Sequence, residues 1–160
     1  MPSPQLLAGR RSIVGNVYTI TMVCRNRHRV FDSPANADLA MQLLGSMDRE
    51  GLTASFAWVI MPDHIHWLAQ LRGHSLSYCV QRFKARSSFL INRRRGSQGA
   101  IWQAGYHDHA IRSDASLHRH ACYILANPVR AGLAAQIGDH PYGWCRWPLS
   151  ELESAGERAW

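Results

Sequence analysis

A chain of 160 residues with 46% hydrophobic content is long enough to bury the core of one domain without disulfides. The four cysteines are far apart and include no Cys-x-x-Cys pair, so neither a zinc ribbon nor a disulfide framework is indicated. The net charge of +7 comes from arginines and a single lysine; it is compatible with a polyanionic partner, although many basic proteins bind no nucleic acid.

The N-terminal segment lacks the basic-then-apolar order of a signal peptide, and no apolar run approaches the roughly 18 residues that cross a bilayer. We therefore expect a cytoplasmic protein without a membrane partner. The first predicted element is a strand over residues 17–23, rich in β-branched and aromatic side chains, which ends at an arginine-rich loop. Apolar residues at helical spacing then predict a helix from Ser33 to Glu50, and Gly51 closes it.

Two strands, 53–60 and 64–71, flank the turn-forming segment Met61-Pro62-Asp63, which is short enough to make a hairpin. A second helix is predicted from Ser75 to about Arg95, with an apolar buried line and exposed basic residues.

A fourth strand is predicted over residues 102–112. Ser113 or Asp114 begins a third helix, which is expected to stop at Asn127 because Pro128 disfavours helical geometry in the residue before it. The order β-α-β-β-α-β-α predicts an α+β, ferredoxin-like fold, in which the split β-α-β units form an antiparallel sheet with helices on one face. We expect one domain over residues 1–135 and a C-terminal extension over 136–160, packed irregularly on its core.

The third predicted strand begins with a histidine pair. Since side chains alternate along a strand, His64 and His66 share one face while Ile65 and Trp67 share the other. Two imidazoles can bind a metal ion but do not complete its coordination shell. The chain contains a second triplet, His107-Asp108-His109, so this spacing also fits histidines without a metal.

The third predicted helix has two faces. Tyr123 and Asn127 lie one turn apart and away from the apolar stripe, so they offer a nucleophilic hydroxyl and an oxygen ligand. The alternatives are a tyrosine at the edge of the core and an asparagine that caps the helix.

Taken together, these segments resemble the REP-associated tyrosine transposases, domesticated relatives of the IS200/IS605 single-strand transposases. The resemblance covers about residues 10–135 and is most specific where two motifs occur together. They are Met61-Pro62-Asp63-His64-Ile65-His66 and the segment from Tyr123-Ile124-Leu125-Ala126-Asn127-Pro128 to Leu133.

This resemblance implies an HUH endonuclease, named for histidine, bulky hydrophobic residue and histidine. His64, His66 and Asn127 would bind a divalent metal ion, Mg²⁺ or Mn²⁺, and Tyr123 would be the catalytic nucleophile. The implied reaction is metal-dependent cleavage and strand transfer of single-stranded DNA at REP-like hairpins through a 5′-phosphotyrosine intermediate. Both a monomer and a homodimer remain open.

Basic residues of several segments are candidates for contacts with the DNA backbone. They are Arg10, Arg11, Arg25, Arg27, Arg29, Arg82, Lys84 and Arg86. One alternative is a sequence-specific hairpin-binding protein with little or no catalytic activity. Another is a metal-dependent hydrolase that uses water and does not need Tyr123.

Overall fold

The structure, a computed structural model, describes residues 12–152. Arg10 and Arg11, two of the predicted DNA contacts, lie outside the described residues, as does the end of the predicted extension from residue 153 onward.

One antiparallel sheet forms the centre of the molecule. Its strands are β1 (Val17–Val23), β2 (Thr53–Met61), β3 (His64–Leu71), β4 (His107–Ile111) and β5 (Gly143–Cys145). They lie in the order β4-β1-β3-β2-β5, and every neighbouring pair is antiparallel. The first four strands have the ferredoxin-like order, so the predicted fold class is confirmed.

Four α-helices that lie wholly within the described residues accompany the sheet: α1 (Pro34–Arg49), α2 (Leu76–Arg95), α3 (Leu117–Leu125) and α4 (Asn127–Arg130). The two long helices begin at serine caps, where Ser33 and Ser75 accept hydrogen bonds from backbone N–H groups of the first turn. α2 ends at Gly96, whose left-handed backbone (φ 63°) suits glycine. None of these helices within residues 12–152 is long and apolar enough to span a bilayer.

The two faces of the sheet are covered differently. α1 and α2 cover the first face, where Ile20, Trp67 and Phe83 are fully buried in the larger core cluster. α3 lies on the opposite face, where Ala121 and Ile124 pack with Leu68 in a smaller cluster. The alternation of side chains in β3 places His64 and His66 on this second face.

The fourth strand is shorter than the predicted 102–112. Trp102 makes only an isolated bridge to Cys24, and regular pairing begins at His107. Between them the chain turns at Gly105 (φ 78°), and the Lys84 ammonium binds the carbonyl oxygens of Gln103 and Gly105. The carbonyl oxygens of Gln103 and Gly105 thus accept hydrogen bonds from Lys84 instead of extending the ladder of β4 with β1.

The predicted third helix is divided into three parts. Residues 114–116 form a 3₁₀ turn, α3 follows, and α4 begins at Asn127. The predicted end at Asn127 is therefore wrong by about two residues. Pro128 occupies the first turn of α4, where the missing N–H costs nothing.

The C-terminal segment packs on the core in a more regular way than expected. β5 pairs with the edge of β2, and the indoles of Trp58 and Trp144 stack with centroids 4.5 Å apart. Further along, Leu152 is fully buried. The expectation of irregular packing is wrong for residues 143–145, because a three-residue strand is too short to show a hydrophobic period.

Candidate metal and tyrosine site

The two imidazoles of β3 stand edge to face on the second face of the sheet, with ring centroids 4.8 Å apart. Nδ1 of His64 donates to Oδ1 of Asp63 (2.6 Å). Nδ1 of His66 lies 3.0 Å from Oγ1 of Thr21, the residue that pairs with His66 on the neighbouring strand β1. Since Nδ1 is engaged in both rings, Nε2 is the nitrogen that each ring has left for a metal ion. Such a second hydrogen bond is typical of metal-binding histidines.

The surroundings set the charge of these groups. Burial lowers the pKa of His66 to about 4, and the positive charges of His64 and Arg130 act in the same direction. His66 is therefore neutral at physiological pH, which is the form that binds metals. Burial by itself would raise the pKa of Asp63, but the hydrogen bond and charge of His64, together with Arg27, hold it below its usual value.

Tyr123 lies on α3 and is 61% exposed, while its neighbours Ile124 and Leu125 are buried against the sheet. The guanidinium carbon of Arg130 lies over the Tyr123 ring, 4.0 Å from its centroid. The same guanidinium donates to the carbonyl oxygen of Tyr123 (2.8 Å). Tyr123 and the histidine pair thus belong to the same side of the sheet, and Arg130 acts on both.

Asn127 lies at the start of α4. Its side-chain Nδ2 donates to the carbonyl oxygen of Ile124 (2.9 Å), which leaves Oδ1 as an acceptor. Within residues 12–152 no three His, Cys, Asp or Glu side chains gather into a metal site. A metal ion bound by the histidine pair would therefore need an amide oxygen or a substrate oxygen to complete its shell, and Mg²⁺ and Mn²⁺ prefer oxygen ligands.

The loop after β1 brings arginines to the histidine end of the sheet. Arg27 lies 3.5 Å from Oδ2 of Asp63, the residue that orients His64. Beside it is a groove of about 410 Å³ between this loop and the end of α2, lined by Arg25, Arg29 and Arg95 and by no acidic residue. Arg29 also pairs with Asp32 (2.8 Å). The lining makes this groove a basic concave surface near the histidine end of the sheet.

The predicted DNA contacts of α2, which are Arg82, Lys84 and Arg86, lie on the other layer of the molecule. Arg82 and Arg86 both pair with Glu50, at 3.0 and 2.7 Å, so their charge is partly compensated. The prediction that Lys84 is exposed is wrong: it is 7% exposed, and its ammonium donates to backbone carbonyls of the segment before β4. These residues do not converge on the histidine pair.

Two features of the site were not predicted. Arg130 lies seven residues after Tyr123, which corresponds to two helical turns. This spacing puts both residues on one face of a helix and could have predicted their contact. The second histidine triplet also faces the site side, because His107 and His109 pair with Thr21 and Thr19 of β1. Both histidines are exposed, and the ring of His109 lies 6.3 Å from that of His120 on α3.

The comparison with protein families matches residues 13–127 to the IS200-like transposases. A REP-associated tyrosine transposase of Escherichia coli strain K12 is 30% identical over 88 residues, which cover 54% of this chain and 50% of that protein. A Haemophilus influenzae protein whose name refers it to the same class is 35% identical over 94 residues, 52% of this chain and 53% of its own length. The chain thus matches about half the length of these curated relatives.

Among solved structures, a REP-associated tyrosine transposase bound to a REP hairpin superposes with a TM-score of 0.69. It is 26% identical, and the match covers 84% of this chain and 79% of that one. The likeness extends over most of the sheet and helices described above.

Proposed function

This chain belongs to the IS200-like transposase family, and on that premise we propose that it cleaves and rejoins single-stranded DNA beside a hairpin. Tyr123 is the nucleophile, and His64 and His66, with Asn127, hold a divalent metal ion, Mg²⁺ or Mn²⁺. The observation that supports this best is an exposed tyrosine on the same side of the sheet as two imidazoles whose Nδ1 atoms are already engaged.

The proposed reaction is a transesterification. The phenolic oxygen of Tyr123 attacks phosphorus, the bond to the 3′ oxygen breaks, and a 5′-phosphotyrosine and a free 3′-hydroxyl result. The phenolic proton passes to water, and the departing 3′ oxygen takes up a proton. When bound, the metal ion neutralises charge on a phosphate oxygen and makes phosphorus more electrophilic. Because the phosphotyrosine conserves the energy of the phosphodiester, a second 3′-hydroxyl reverses the step without ATP.

The proposed partner is a DNA hairpin with an unpaired flank, because a solved relative of this chain is bound to a REP hairpin. The groove lined by Arg25, Arg29 and Arg95 is the proposed path of the DNA backbone away from the histidine pair. Arg27, in the same loop as Arg25 and Arg29, contacts Asp63 beside the histidine pair.

The test is a denaturing gel of labelled single-stranded hairpin DNA incubated with Mg²⁺ and wild-type or Tyr123→Phe protein. We expect a covalent adduct that Tyr123→Phe reduces at least about 1,000-fold and that a chelator abolishes. Tyr78→Phe is the matched control, because Tyr78 is also exposed (42%) but lies on α2, on the other layer.

Two other results would contradict the proposal. Cleavage without an adduct, unchanged in Tyr123→Phe, would indicate a water-using nuclease. Tight hairpin binding without cleavage by the wild type would indicate a sequence-specific binding protein with little or no catalytic activity.

A further inference from the structure

An exposed tyrosine is a poorly defined nucleophile unless something holds it. With 61% of its surface exposed, Tyr123 has little packing to select one rotamer, and a freely moving side chain loses entropy when it aligns for attack. Arg130 supplies two contacts to this one residue: the stack on the ring (4.0 Å) and the hydrogen bond to its carbonyl (2.8 Å). The ring is thus held through a neighbour rather than through the core.

Arg130 is itself held by a rigid backbone. Pro128 is buried in the first turn of α4, and its carbonyl accepts the N–H of Leu133 (2.8 Å). The N–H of Arg130 donates to Ala126 (3.0 Å), which joins α4 to the end of α3. A guanidinium on such a base can define the position of the ring above it.

The guanidinium of Arg130 also has N–H donors that no described carboxylate takes up. A guanidinium has five N–H donors, and the carbonyl of Tyr123 uses one of the two that its terminal Nη2 carries. Within residues 12–152 no carboxylate pairs with Arg130.

We propose that Arg130 aligns Tyr123 with the phosphodiester. Its guanidinium holds the phenol ring by stacking and offers its free N–H donors to an oxygen of the phosphate that Tyr123 attacks. This inference rests on the proposed function and assigns Arg130 to the same reaction. Arginine suits both tasks because its planar fork stacks on aromatic rings and binds phosphate in a bidentate way, whereas lysine is a point charge.

The first test separates rate from binding. At saturating hairpin DNA, we expect Arg130→Gln to slow adduct formation about 100-fold and Arg130→Lys about 10-fold, with hairpin affinity within threefold of wild type. Millimolar guanidinium is expected to restore part of the rate to Arg130→Ala but none to Tyr123→Phe. Arg72→Gln is the control, since Arg72 is an exposed arginine at the opposite end of β3 from His64.

A second measurement does not need the reaction. In protein labelled with 3-fluorotyrosine, the fluorine signal missing from Tyr123→Phe identifies Tyr123. We expect Arg130→Gln to shift and narrow this signal and Arg72→Gln to leave it unchanged.

The outcomes distinguish the two proposals. A wild type that forms no adduct refutes the proposed function and this alignment with it. A wild type that forms the adduct while Arg130→Gln forms it within threefold of the same rate, or with an unchanged fluorine signal, refutes the role of Arg130 alone.

Discussion

The two faces of the sheet are made by the same strands yet have opposite characters. On the first face, Ile65 and Trp67 of β3 are fully buried beneath α1 and α2. On the second face, the alternate residues His64 and His66 are only partly covered, and their neighbours in register include Thr21. α3 covers only part of this face and leaves Tyr123 exposed at its border.

This difference shows how one strand can serve stability and chemistry together. Each residue of β3 contributes to one face only, so a polar pair can stand in the sheet without interrupting the core. The comparison predicts that changes to buried side chains of the first face alter stability and spare the reaction. Changes to the partly exposed polar side chains of the second face are expected to slow the reaction and to leave stability near neutral pH almost unchanged. Three experiments test it beyond those on Tyr123 and Arg130.

The largest expected effect is on the first face. Phe83 is fully buried, and we expect Phe83→Ala to lower the free energy of unfolding by about 3–5 kcal/mol, through lost burial and the cavity left behind. Urea denaturation measures the free energy of unfolding. The control is Phe89→Ala, at an exposed position of the same helix, which is expected to change this free energy by less than about 0.5 kcal/mol. The comparison fails if adduct formation per folded molecule falls more than a few-fold in Phe83→Ala.

The second face is expected to make stability depend on pH. The pKa of His66 is about 4 in the folded protein, below the ordinary 6.5 of an unfolded chain, so the unfolded state binds the proton first as pH falls. The contribution of neutral His66 to the free energy of unfolding is fully present above about pH 6.5. It is lost between pH 6.5 and 4, by up to about 3 kcal/mol. Urea denaturation of wild type and His66→Asn at a series of pH values, with a chelator present, measures this loss. If the free energy of unfolding depends on pH in the same way for both proteins, His66 is not the group responsible.

The smallest expected effect compares arginines of the two layers. Arg27 lies beside Asp63 at the site, whereas Arg86 is paired with Glu50 on the outer side of α2. We expect Arg27→Gln to weaken hairpin binding several-fold and to reduce the slope of log K against log salt concentration by about one, as for the loss of one phosphate contact. Arg86→Gln is expected to change neither the affinity nor the slope. Fluorescence anisotropy at several salt concentrations measures both. Equal losses would place DNA on both layers.

The parts of the fold that local patterns determine could be predicted from sequence. β1 and β3 have the predicted bounds because their alternation is regular, and α1 and α2 begin at serine caps. The common face of His64 and His66 follows from the same alternation. The roles of His64, His66, Asn127 and Tyr123 stay predictions, since nothing described here tests them.

Features that depend on distant partners could not be predicted. Lys84 can be buried because its ammonium donates hydrogen bonds to carbonyl oxygens 19 and 21 residues further along. No local sequence pattern encodes such distant partners. β5 exists because the edge of β2 is free to pair with it. The contact between Arg130 and Tyr123 depends on how α4 is set against α3 after the break at Ala126.

The strand order also has a consequence for how the chain folds as it is made. β1 is the first strand of the described residues but lies inside the sheet, between β3 and β4. Its Thr19 pairs with His109, 90 residues later. At about 5–20 residues per second, a ribosome needs roughly 5 to 20 s to make that interval. During this time Ile20 and Met22, which are buried in the finished protein, have no complete sheet around them. The nascent chain is therefore expected to be a client of chaperones until β4 leaves the ribosome, and to complete its sheet late and cooperatively.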